Sequence, residues 1–470
     1  TLWFRSITPS GWMHAIGPLS PSDWLMIFLI SVHLIISLCV GAFCLLCGVI
    51  YGRIGIKYYS VAGTLLFSMI CMLAELSRAY LFSLLTNSNG VPIRPFWGIF
   101  SIASLTNNLP WLGLPSRFGF WGSSFVLYAF VGLTVTAIIQ LNKKQYSPFG
   151  VLFVLVIFLV STRTPQNQLQ ISKLPIIQAV AVSKTSTRDY LQDLINTLKQ
   201  DSSPRRIVVL PEYDTFIKSN GFDIENLLNP ERKKNFEAYK FKNAYYAGTQ
   251  NNYTNNKIYV ENYLLNGDKK YMETKQKKFL IPGGEYSFDW ANKIFNLFDK
   301  EAAKNFAKTK GHYVVRDGEI TTIVEPNDLG NLLSLNACSY VIAPYTLQKD
   351  IQNGAQLVTY NISFAQFKNT PEYERYVKRF MLFTSQAYQR PVAAGVQDGQ
   401  ALFISPYNNE GLKQEDIIVA DIPYNSHKTL YTKLGDFWIM FILTVITLFV
   451  MIGPKRIKYS LRKLNRLQNR

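Results

Sequence analysis

The sequence predicts a multi-helix transmembrane domain joined to an α/β extracytoplasmic domain, and three observations carry that expectation. Residues 1–162 are dominated by long apolar runs, residues 163–432 alternate strand-like and helical patterns, and residues 433–470 hold one more apolar run before a basic tail. A bilayer span takes roughly 20 apolar residues, and alternation of strands with helices argues for an α/β domain.

The charge balance agrees. The chain carries 49 Lys and Arg against 31 Asp and Glu, a net charge of +18. In a soluble protein that excess would suggest nucleic acid. Here the basic residues sit at the edges of apolar runs, where they orient a chain in the bilayer, so no nucleic-acid partner is expected. Residues 163–432 are enough to bury a core without disulfides or metals. Cys39, Cys44, Cys47 and Cys71 lie in apolar runs, where cysteine behaves as a small hydrophobe. Cys338 is the one cysteine of the 163–432 segment, which excludes an internal disulfide there and marks the thiol as a candidate nucleophile. The sequence begins at Thr1 with no signal-peptide pattern, and upstream helices are expected to be missing.

Taken in order, the expected spans are 24–51, 60–85, 121–141, a short 148–160, and 434–452. The 95–114 stretch is apolar but broken by Pro, Gly and Asn, and is expected to be re-entrant or interfacial. Arg53 and Lys57 come after the first span, Lys143 and Lys144 after the third, and the tail from Pro454 to Arg470 is strongly basic. Placing all three groups on the cytoplasmic side puts the 163–432 domain outside.

Within that domain, strands are expected at 176–182, 206–210, 332–337, 355–360, 391–396 and 401–405, with a hairpin turn at Asp398-Gly399. Helical patterns fall at 187–200 and 371–388. Three polar residues stand just past strand ends, where α/β folds place their chemistry: Glu212, Cys338 and Asn361. Lys277 lies in a basic run, which is usually a solvated face. Beyond that run come an apolar stretch, Pro282-Gly283-Gly284 and then Glu285, an odd design for a surface loop. Scattered His312 and His427 make no metal-ligand spacing with one cysteine, so no metal or other cofactor is expected.

The string Lys277-Lys278-Phe279-Leu280-Ile281-Pro282-Gly283-Gly284-Glu285-Tyr286 resembles the Lys-x-x-Leu-Val-Pro-Phe-Gly-Glu-Tyr signature of apolipoprotein N-acyltransferases, membrane-bound members of the nitrilase superfamily. Pro211-Glu212 resembles the family's catalytic Pro-Glu, and Cys338 its nucleophile. The order Glu, Lys, Cys and the spacings of 65 and 61 residues are similar too. In the membrane part, Glu75-Leu76-Ser77-Arg78 resembles a family Glu-x-x-Arg, and Pro110-Trp111 a later Pro-Trp. Two positions differ: the family's Cys-Tyr-Glu is Cys338-Ser339-Tyr340 here, and its Asn-Asp-Ala-Trp-Phe loop is replaced by the sequence from Asn361 to Phe367.

The resemblance implies a nitrilase-like αββα sandwich outside the inner (cytoplasmic) membrane of a bacterium, in the periplasm. It implies a Glu212–Lys277–Cys338 triad, with Glu285, Ser339 and Asn361 supporting. Glu212 would act as general base, and Lys277 would stabilise thiolate and oxyanion, helped by a backbone N–H near Ser339. The acyl donor would be a membrane phospholipid, the intermediate a thioester on Cys338, and the acceptor the N-terminal S-diacylglyceryl-cysteine of a lipoprotein. Two alternatives stay open: a membrane-anchored nitrilase-type amidase, and a non-catalytic lipid- or lipoprotein-binding relative.

Overall fold

The computed structural model describes residues 60–85, 113–141, 171–184, 190–199, 205–212, 244–254, 257–266, 271–280, 321–323, 332–364, 371–406 and 412–468, with isolated positions between them. The expected spans 24–51 and 148–160 and the interfacial 95–114 stretch lie outside these residues, apart from isolated positions. So do Glu285 and His312.

Three described helices are long and apolar enough to cross a membrane: α1 (Val61–Leu85), α2 (Leu114–Leu141) and the last helix, α6 (Leu430–Gln468), through its first 21 residues. Their outward faces are apolar, with Phe437, Phe441 and Phe449 exposed on α6. A contiguous exposed apolar face of this kind marks an interaction surface, with protein or with lipid. Between α1 and α2 the contact is polar. Glu75 is buried and accepts hydrogen bonds from Ser124 Oγ at 2.7 Å and Tyr128 OH at 2.8 Å, and the Thr64 and Thr136 hydroxyls bond at 2.9 Å. These bonds tie the two apolar helices at buried polar positions, where each group needs a partner.

Helix α2 carries one short helical stretch before the expected position 121. Pro115 is suited to its first turn, where the missing N–H costs nothing, and Gly119, at φ 61° and ψ −154°, breaks it, so that a second helical segment begins next to the expected start. A Cβ at Gly119 would also fall 2.2 Å from the Tyr431 ring. Past the break, the Asp436 carboxylate accepts the Phe120 N–H at 3.2 Å and the Trp121 N–H at 3.4 Å through Oδ1, and the Tyr431 hydroxyl at 2.8 Å through Oδ2. A carboxylate on the first free N–H groups of a helix both caps it and meets the positive end of its dipole. Asp436→Ala is therefore expected to lower stability by roughly 2 kcal/mol through the lost cap and the orphaned Tyr431 hydroxyl. Thermal unfolding in detergent checks it.

The α/β part runs β1 (Ile171–Lys184), α3 (Tyr190–Lys199), β2 (Arg205–Val209), β3 (Ala244–Thr254), β4 (Lys257–Asn266), β5 (Tyr271–Gln276), β6 (Thr321–Ile323), β7 (Leu333–Ala337), two 3₁₀ turns (Cys338–Ile342 and Pro344–Leu347), α4 (Gln348–Gln352), β8 (Leu357–Ser363), α5 (Pro371–Tyr388), β9 (Val392–Gln397), β10 (Ala401–Ile404), β11 (Leu412–Glu415) and β12 (Ile417–Asn425). These strands form two halves. One is ordered β12-β1-β2-β3-β4-β5-β6 and the other β7-β8-β9-β10-β11. They join where Ser183 and Lys184 of β1 pair in parallel with Val396 and Gln397 of β9. The central pairings β1–β2–β3 and β7–β8–β9 are parallel, and the outer ones antiparallel.

Three apolar cores define the layers. Ile177, Ile207, Val209, Leu335, Leu357 and Phe403 belong to one core shared by the two halves. On the far side of the first half, Val180, Val208 and Tyr263 pack on Leu194 and Leu198 of α3. On the far side of the second, Val358, Tyr360 and Val392 pack on Val377, Phe380 and Phe383 of α5. The order is helix, sheet, sheet, helix. The second outer core continues into Met72 of α1, Phe120 and Trp121 of α2 and Ile439 of α6, so the α/β part and the apolar helices share one buried cluster.

Candidate active site

Strand β2 and the residue after it carry an apolar run, 207–210, buried on both faces. The chain leaves it through Pro211, which cannot extend the ladder, and Glu212 comes next with its N–H to the Ile362 carbonyl at 3.4 Å. Its carboxylate is buried, 4% exposed. Strand β5 ends at Gln276, and Lys277 adds one more rung by donating its N–H to the Val260 carbonyl at 2.7 Å. The Lys277 side chain is fully buried and donates from Nζ to Glu212 Oε1 at 3.1 Å. Two charges withdrawn from water are tolerated where each compensates the other. The basic run is therefore split: Lys277 points inward to the carboxylate rather than to solvent.

Cys338 is the first residue after β7, opens a 3₁₀ turn, and is buried at 2% exposure. It is in no disulfide. The next two residues fasten that turn to the Lys277 segment. Ser339 Oγ donates to the Phe279 carbonyl. The Tyr340 hydroxyl accepts the Lys278 N–H at 2.9 Å and donates to the Gln276 carbonyl at 3.3 Å, and its ring meets Phe279 edge-on with centroids 5.0 Å apart.

Asn361 sits inside β8 rather than past its end, in register with Ala337, the residue before Cys338. It is buried and donates from Nδ2 to the carbonyls of Leu210 at 2.5 Å and Ala247 at 3.0 Å. It thereby joins the end of β2, two residues before Glu212, to β8. Glu212 and Lys277 thus bond each other directly, while Ser339 is tied to Phe279, two residues past Lys277, and Asn361 to Leu210, two residues before Glu212, with Cys338 next to Ser339 in the chain. Two more residues belong to this junction and were missed by sequence reasoning: Tyr340, and Gly395 of β9, where a Cβ would lie 2.4 Å from the Val209 and Leu210 carbonyl oxygens. Tyr340 showed only as the absence of a carboxylate. Gly395 gave no signal, since its role comes from a strand of the other half-sheet.

His427 lies between β12 and α6, with Lys433 and Arg390 beside it. Partial burial, then those two positive charges, hold its pKa below the usual histidine value. Among the described residues no group of three or more His, Cys, Asp or Glu side chains could hold a metal ion.

No family model and no curated protein matches the chain. In structure it is similar to carbon-nitrogen hydrolase (nitrilase) proteins. These include the C. elegans NitFhit protein (14% identity, TM-score 0.33, 53% of this chain and 60% of that one) and a carbon-nitrogen hydrolase from Helicobacter pylori G27 (15%, 0.31, 53% and 88%). A third is XC1258 from Xanthomonas campestris, a CN-hydrolase superfamily protein (14%, 0.31, 52% and 89%). The chain thus spans about three fifths of the length of NitFhit.

Proposed function

We propose that the chain is a membrane-bound N-acyltransferase of the apolipoprotein type, with Cys338 as nucleophile, Glu212 as general base and Lys277 as the cation of the site. One observation carries it. Cys338 and Phe279 belong to the same buried apolar cluster as Met72, Phe120 and Trp121 of the apolar helices. A thiol meant for a small soluble amide has no need of such a neighbourhood, whereas one that takes an acyl chain from lipid does. The α/β part would then lie outside a bacterial inner membrane, with the apolar helices spanning it.

The residues divide the chemistry between them. Glu212 takes the proton of the Cys338 thiol, and Sγ attacks the ester carbonyl carbon of a phospholipid. The tetrahedral oxyanion is met by the Lys277 ammonium and a backbone N–H near Ser339. The carbon–oxygen bond breaks, Glu212 returns the proton to the departing alkoxide, and a lysophospholipid leaves a thioester behind. The neutral α-amino group of an S-diacylglyceryl-cysteine then attacks that thioester. Glu212 receives the amine proton, the carbon–sulfur bond breaks, and the amide product leaves with the thiol restored. Burial of the pair at 0% and 5% side-chain exposure supports these roles, because charge acts more strongly where water is excluded.

In mixed vesicles of phospholipid and a synthetic S-diacylglyceryl-cysteinyl peptide, the protein is expected to add one acyl chain to the peptide, read by mass spectrometry. Cys338→Ala is expected to add none. Hydrolysis of a small soluble amide, with the peptide unmodified, would replace acyl transfer with the amidase reading.

A further inference from the structure

Lysine has a long, flexible side chain, and holding its ammonium at one point requires a fixed backbone beneath it. At Lys277 that backbone is at the end of its ladder. Its own N–H faces β4 and bonds Val260 at 2.7 Å. The Gln276 carbonyl and the Lys278 N–H point to the opposite edge, as alternate residues of a strand do. Among the described residues, strand β6 pairs along that edge with Glu273, Thr274 and Lys275. Beyond it, the two groups share one partner. The Tyr340 hydroxyl accepts the Lys278 N–H at 2.9 Å and donates to the Gln276 carbonyl at 3.3 Å.

The hydroxyl therefore does what one residue of a neighbouring strand would do, taking an N–H and giving a hydrogen to a carbonyl two residues apart. The task needs a group that is donor and acceptor at once. An ionised carboxylate accepts only, and phenylalanine does neither. Tyr340 is itself fixed. It is 3% exposed, its ring rests on Phe279, and it stands two residues from Cys338 in the same 3₁₀ turn. The Ser339 hydroxyl bond to the Phe279 carbonyl adds a second tie between the two segments.

We propose that Tyr340 is a positioning residue, whose hydroxyl extends the β5 ladder so that the Lys277 ammonium is held in register with the Cys338 thiol. This rests on the roles proposed above for Lys277 and Cys338.

The test measures how fast iodoacetamide alkylates Cys338 as a function of pH. The peptide containing Cys338 is tracked by mass spectrometry in the full-length detergent-solubilised protein. Wild type, Lys277→Met, Tyr340→Phe and Tyr340→Met are compared, with folding checked by circular dichroism at the working temperature. Lys277→Met is expected to raise the pH midpoint of alkylation, because a nearby ammonium favours the thiolate. Tyr340→Phe, which keeps the ring and its packing, is expected to move the midpoint the same way by roughly one unit, about tenfold slower alkylation below the midpoint. Tyr340→Met gives the same readout if the phenylalanine variant does not fold. A Tyr340 variant with the wild-type midpoint, alongside a shifted Lys277→Met, overturns the positioning role and leaves the triad standing. A wild-type midpoint in Lys277→Met overturns both.

Discussion

Lys277→Met is expected to cost about 3 kcal/mol of stability and to lower acyl transfer at least ~100-fold. Both effects come from the same burial. The Lys277 side chain is 0% exposed and that of Glu212 5%, with Nζ 3.1 Å from Oε1. Removing the ammonium leaves a carboxylate in a site that water does not reach, and breaking such a pair from one side costs far more than replacing both partners. The double variant Glu212→Gln with Lys277→Met is therefore expected to be more stable than the sum of the single changes predicts. Denaturant unfolding of the four proteins checks that non-additivity. Activity would not recover with stability, since base and cation are both gone. Full additivity would mean that the two charges do not compensate each other.

The second large effect is expected at Gly395. It lies on β9 in register with Asn361 of β8. A Cβ there would sit 2.4 Å from the carbonyl oxygens of Val209 and Leu210. Those atoms are main chain at the end of β2, so no rotamer change relieves the overlap. Either β9 or β2 must move, and Leu210 is also the residue whose carbonyl accepts from Asn361. Gly395→Ala is expected to cost about 3 kcal/mol, the upper range for an overpacked core. It should also reduce turnover in whatever fraction stays folded, because Glu212 lies just three residues past the end of β2. A melting curve and an acyl-transfer assay on the same sample check both, and an unchanged melting temperature would contradict the close approach.

How much of the fold was legible in the sequence depends on what each element buries. The parallel strands at 205–209 and 333–337 are covered on both faces, so they read as continuous apolar runs. Glu212 and Cys338 stood out as the polar residues ending them. Helix Pro371–Tyr388 was legible to the residue because one face packs on β8 and β9 and the other is polar. The β3–β4 hairpin was not legible. Its strands carry Asn251, Asn252 and Asn262 beside Tyr245, Tyr246, Tyr259 and Tyr263, and polar antiparallel strands give no apolar run. The usable signal was the tyrosines flanking Asn255-Asn256, the two residues between paired Thr254 and Lys257. Lys277 could be placed only through its resemblance, since nothing local distinguishes a buried lysine from its solvated neighbours. The clamp of Tyr340 and the approach of Gly395 join strands distant in the chain, and no local pattern carries them.

The central claim is that Cys338 takes an acyl chain from lipid. Its most direct test is to incubate the purified protein with a phospholipid bearing a labelled acyl chain and to weigh the intact protein, alongside Cys338→Ala. The expected result is a mass increase of one acyl chain that hydroxylamine removes and that is absent from the variant. An unmodified folded protein in lipid, or an adduct that persists in Cys338→Ala, would contradict it.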